Sequence, residues 1–104
     1  MIFKDGVYVR GVSAELVLGL SALDSAHREL TGEAVTVTSV SDGRHGNKSL
    51  HYSGRGADVR TRHLSAEERQ AFFAKASDYL PEDFDLVAES DHFHLEFDPR
   101  GRLP

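Results

Sequence analysis

Residues 92–97 read His-Phe-His-Leu-Glu-Phe, a strict alternation of polar and apolar side chains. Successive side chains on a strand point to opposite faces, so this pattern calls for a half-buried strand. Phe93, Leu95 and Phe97 then belong to a core, while His92, His94 and Glu96 share the other face. That outer face is unusually rich in groups that hold protons or metal ions. A domain built on such a strand needs a sheet covered on one side only, and the rest of the chain offers the cover.

Ser13 caps a helix whose apolar stripe, Leu16, Val17, Leu20, Leu23 and Leu30, runs to Gly32. Ser65-Ala66-Glu67-Glu68 is a capping box that opens a second helix carrying Phe72, Phe73 and Ala76 and stopping before Pro81. Short β-prone runs lie at Val7–Val9, Ala34–Val40 and Ala57–Thr61. Residues 84–89 pair with 92–97 as a hairpin over Ser90-Asp91. Residues 41–48 are dense in turn formers and introduce the segment beyond as a loop. Helix, strands, helix, strands in this order predicts an α+β fold with a small, mostly antiparallel sheet and two main helices. The helices cover one face, and the histidine-bearing strand ends form a site on the other. At 104 residues, 1–104 is a single domain that buries roughly 60–70% of its unfolded surface.

The chain has no cysteine, so any metal must be held by His, Asp and Glu. A net charge of −5 argues against a binder of nucleic acid that relies on phosphate contacts. The basic residues Arg44, His45, Lys48, Arg55, Arg60, Arg62 and His63 nevertheless cluster locally, and such a patch suits an anionic group such as a carboxylate. The N-terminus lacks the basic start and apolar run of a signal peptide, and no stretch reaches membrane-spanning length. A monomer made in the cytoplasm, with no membrane partner, is expected.

The chemistry concentrates in Ser49–Asp58 and Asp91–His94. His51 is followed by a carboxylate seven positions on, and His92 and His94 project together from their strand. Glycines at 54 and 56 let the backbone turn so that His51 and Asp58 converge. Nitrogen and oxygen donors of this kind suit zinc, and a catalytic zinc site takes three protein ligands and leaves a position for water. Two frames share one spacing: Asp91 lies three before His94, and Glu89 lies three before His92. His27, alone in sequence, reads as a surface residue, as do His45 and His63.

Ser49 to Asp58 resembles the SxHxxGxAxD signature of the D-alanyl-D-alanine carboxypeptidase family of zinc peptidases. The same fold includes L-alanyl-D-glutamate endolysins of phages and the hedgehog signalling domain. Ser49, His51, Gly54 and Asp58 match, and Gly56 stands where the pattern usually has Ala, a small-for-small change expected to leave the ligands undisturbed. Asp91-His92-Phe93-His94 resembles the family's second signature, and the likeness spans roughly residues 34–98. It implies a hedgehog/DD-peptidase-like fold with one zinc per chain held by His51, Asp58 and His94. It further implies that Asp91 is the general base, with Glu89 as the other candidate, and that His92 meets the developing oxyanion. Arg44 and Ser49 are the candidates to contact substrate. The implied activity is hydrolysis of a bond in the peptidoglycan stem peptide, L-alanyl-D-glutamate or D-alanyl-D-alanine, by an endolysin-type enzyme that acts on the wall once released. The alternative is a zinc-stabilised binding module of the same fold without catalysis.

Overall fold

The computed structural model describes residues 1–9, 12–41 and 56–99. Along the chain these form β1 (Ile2–Phe3), α1 (Ala14–Thr31), β2 (Thr36–Ser41), β3 (Gly56–Arg60), α2 (Ala66–Tyr79), β4 (Phe84–Ala88) and β5 (His92–Phe97).

Both helices begin where their caps dictate. The Ser13 hydroxyl accepts the Leu16 N–H at 3.1 Å, and α1 ends at Gly32, which takes φ 80° and donates its N–H to the Arg28 carbonyl. A left-handed residue closing a helix suits glycine, which has no Cβ to clash. At α2 the box is complete: Ser65 N–H donates to Glu68 Oε1 at 2.9 Å, and Glu68 N–H donates to Ser65 Oγ at 3.1 Å.

The helices lie on one face of the sheet. Leu16, Leu20, Leu23 and Ala26 of α1, Phe72 and Ala76 of α2, and Ala57, Val59, Phe93 and Leu95 of the sheet are all fully buried together. Phe72 stacks on Phe93 with ring centroids 5.0 Å apart, and Phe73 meets the same ring edge-on at 5.3 Å. Val17, expected in the buried stripe, is 41% exposed, because the α1 stripe follows the 16–20–23 line and turns Val17 away from it. A Cβ at Gly19 would lie 2.5 Å from a Phe84 ring carbon, so glycine is what lets α1 approach the sheet so closely.

The five strands run in the order β1-β2-β3-β5-β4, with β1 parallel to β2 and every other pair antiparallel. The fold is therefore α+β with two helices and a mixed sheet. The expected N-terminal strand at Val7–Val9 does not form; Ile2–Phe3 takes the edge instead, held by Ile2 N–H to the Val35 carbonyl and Lys4 N–H to the Val37 carbonyl. The β4–β5 hairpin forms where expected, with Glu89 N–H donating to the His92 carbonyl at 2.9 Å. Two details of register position the site. Asp58 on β3 lies directly opposite His94 on β5, and Arg60 lies opposite His92. Between β2 and β3 the register shifts, from Val37 opposite Val59 to Ser39 opposite Asp58. Such a bulge re-aims side chains beside it, and here it sets Ser39 over the Asp58 carboxylate. No helix among the described residues is long and apolar enough to cross a membrane.

Candidate metal and acid–base site

Asp58, His92, His94 and Glu96 occupy the sheet face away from the helices, as the alternation around Phe93 and Leu95 requires. Asp58 Oδ1 and His94 Nδ1 are 2.8 Å apart across the β3–β5 ladder. On its other side the His94 ring donates Nε2–H to Glu96 Oε1 at 3.0 Å. Asp58 also accepts the Ser39 hydroxyl on Oδ2 at 2.9 Å. One imidazole is thus held between two carboxylates, one of them on a residue only 4% exposed.

This geometry sets the charges. The Asp58 hydrogen bond raises His94 to about 9, with burial opposing and Glu96 adding to the rise. Burial also works against ionisation of Asp58, yet the hydrogen bonds from His94 and Ser39 and the nearby imidazole charges hold it below the ordinary aspartate value. Asp91 is held low chiefly by its hydrogen bond with His92, whose Nδ1 lies 2.8 Å from Asp91 Oδ1. A pH dependence follows for the metal-free protein. His94 titrates higher folded than unfolded, so its contribution is complete below about pH 6.5 and fades as pH rises through 9. The loss is expected to be on the order of 3 kcal/mol. Urea midpoints of chelator-treated protein between pH 6 and 10 test this, and a wild-type curve parallel to that of His94→Gln overturns it.

The donor set fits zinc at the two ligand positions the described residues contain. Two ligands at about 2.0–2.2 Å from a tetrahedral ion stand about 3.3–3.6 Å from each other, so the Asp58–His94 pair, 2.8 Å apart, needs to open by about 0.5–0.8 Å. Glu96 behind Nε2 is the kind of carboxylate that orients a ligating histidine and fixes which nitrogen faces the metal. Gly56 completes the cradle: a Cβ there would sit 3.0 Å from His94 Cε1 and 3.3 Å from Glu96 Oε1. Glycine at this position leaves room for the His94 ring, which an alanine Cβ would have to displace by a few tenths of an ångström. Gly56→Ala is expected to weaken zinc binding about tenfold, the lower end for a disturbed ligand support. Calorimetric titration with zinc checks it, and unchanged affinity would mean that the ring yields without cost.

Among the described residues no group of three His, Asp or Glu side chains is gathered as a metal would need. His51, the expected third ligand, lies outside the described residues, as do Arg44 and Ser49. His92 stands beside the pair, its Nε2 3.8 Å from Asp58 Oδ1. The two candidate bases fall on opposite sides of it. Asp91 lines a cleft of about 170 Å³ with Lys4, Thr38, Arg60 and Arg62, and Glu89 lines a cavity of about 390 Å³ with Asp85, His94 and Glu96. Asp58 and His92 border both.

One contributor has no mark in the sequence and another is only partly visible there. Ser39 has no signature, since only the bulge brings its hydroxyl to Asp58. Glu96 was visible as a companion on the histidine face, but its burial and its bond to His94 were not. His27 was misplaced: it is 2% exposed, with Nδ1–H donating to the Glu33 carbonyl at 2.7 Å and Nε2 2.9 Å from Nε2 of His63. It closes the α1 C-terminus against the β3–α2 turn. His63 is exposed as expected, though tied to His27, and His45 lies outside the described residues. No family model, curated protein or solved structure matches the chain.

Proposed function

We propose that this protein is a zinc peptidase that hydrolyses a peptide bond in the stem peptide of peptidoglycan, of the L-alanyl-D-glutamate endopeptidase or D-alanyl-D-alanine carboxypeptidase type. Its fold is then of the hedgehog/DD-peptidase kind. The observation that carries the reading is the Glu96–His94–Asp58 chain laid across β3 and β5, with the Asp91–His92 pair beside it. Asp58 and His94, with His51, would hold one ion per chain. When bound, zinc supplies a Lewis acid and brings the pKa of a water to about 7.

The side chains supply the proton handling and the orientation. Asp91 is exposed and ionised, with Oδ1 occupied by His92, so a proton is taken up on Oδ2 and passed to the leaving amine. His92, held through Nδ1, presents Nε2 beside Asp58, where in its imidazolium form it donates to the oxyanion developing on the substrate carbonyl. Glu96 keeps the His94 ring in the orientation that turns Nδ1 toward Asp58. The substrate polymer is reached once the protein is released from the cell that makes it.

Incubating zinc-loaded protein with purified peptidoglycan and analysing the released fragments by mass tests the reading and identifies the bond. Fragments cut within the stem support it. One bound zinc with no fragment released would leave a zinc-stabilised binding module, and absence of both zinc binding and cleavage would remove the site.

A further inference from the structure

The site is electrically two-sided. The cleft on the Asp91 side gathers Lys4, Arg60 and Arg62, three cations against the two carboxylates of Asp58 and Asp91. The hydrogen bonds of those carboxylates go to other groups, Asp58 with His94 and Ser39 and Asp91 with His92, while the Arg62 charge also acts on Asp91. Among the described residues none of the three cations forms an ion pair. The cavity on the other side is lined by Asp85, Glu89 and Glu96. In a chain of net charge −5, a cationic cleft that the candidate base itself lines is a local reversal of the overall field.

Three separate elements build it. Arg60 ends β3 opposite His92, Arg62 follows in the turn, and Lys4 arrives from the N-terminus. Lys4 is brought there by the short parallel pairing of β1, with its own N–H on the Val37 carbonyl, and the bulge places Thr38 on the same wall. The cleft's volume of about 170 Å³ corresponds to about six waters, room for a small charged group.

Building on the peptidase reading, we propose that Lys4, Arg60 and Arg62 form a carboxylate-binding subsite that determines specificity. A substrate residue bearing a free carboxylate lies on the Asp91 side of the scissile bond, and the acidic cavity repels that carboxylate from the opposite side. The direction in which the peptide crosses Asp58 and His92 is set in this way. Arg60 and Arg62 belong to the basic cluster that the sequence offers to a carboxylate; Arg44, its first candidate to contact substrate, lies outside the described residues. Peptides whose carboxylate is amidated, alike in shape but neutral, are discriminated against.

The probes are N-acetyl-L-alanyl-D-glutamate and its α-amide, titrated into the zinc-loaded full chain and followed by NMR shifts. Wild type is expected to bind the acid about tenfold more tightly than the amide, the size of a charge-assisted contact. Lys4→Ala together with Arg62→Ala, both on exposed side chains, is expected to erase that preference; Arg60→Gln reports on the third cation, and thermal melts verify folding. Equal binding of acid and amide by wild type, a preference unchanged in the variants, or no binding of either peptide overturns the subsite. Peptidoglycan cleavage is measured in parallel, so the two readings fail separately. An acid preference lost in the variants without any cleavage leaves the subsite standing and removes the peptidase. Cleavage with a KM untouched in the variants does the reverse.

Discussion

Asp91→Asn is expected to lower peptidoglycan turnover by about 10²–10⁴-fold, the usual contribution of a positioned acid–base group. Zinc content and folded stability should stay at the wild-type level. The side chain is exposed, its amide is nearly isosteric, and an amide oxygen still accepts from His92. What disappears is the charge that takes up a proton. Glu89→Gln should have a smaller effect, because Glu89 lies across His92 on the acidic side. Both variants are assayed on one peptidoglycan preparation with metal content measured beside them. A fully active Asp91→Asn beside an inactive, zinc-loaded Glu89→Gln would move the base to Glu89 and the ligand frame to His92.

His94→Ala should abolish zinc binding and lower stability in two separable amounts. The first is the loss of ligand linkage, about 4 kcal/mol where free zinc exceeds Kd a thousandfold. The second persists under chelator, because the ring is also what faces the buried Glu96 carboxylate and the half-buried Asp58. Taking away one partner of a buried ion pair costs about 3–5 kcal/mol. Asp58→Ala should likewise lose the metal. Elemental analysis with thermal melts, with and without chelator, resolves the two parts. Full zinc occupancy in His94→Ala would overturn the ligand assignment.

What was legible in the chain was what depends on near neighbours. Ser13, Gly32 and the Ser65–Glu68 box announce both helices, because a cap is a contact between residues three or four apart. The alternation at 92–97 announces β5 and assigns its two faces. Features that arise only from pairing were hidden. Ile2–Phe3 is too short to show a period and is a strand only because β2 lies beside it, whereas Val7–Val9 pairs with no strand among the described residues. The bulge that carries Ser39 to Asp58 is a property of two strands together. His27 looked solitary because its partner is 36 residues away, and nothing in its own surroundings says that the α2 turn will reach it. Burial of Glu96 followed the same logic: the polar face of β5 was evident, but not that β3 offers Gly56 there and lets the carboxylate and ring settle inward.

The register of Asp58 against His94 also bears on motion. Both residues are on interior strands, each hydrogen-bonded on two sides. Neither backbone can swing without tearing the ladder, so the pair belongs to the part of the molecule that opens last. Hydrogen exchange of the amides around it would report the unfolding of the whole domain rather than a local breath. Any adjustment to a ligand would then fall to side chains and to the segments at the sheet's margins, because the two central groups are already in place.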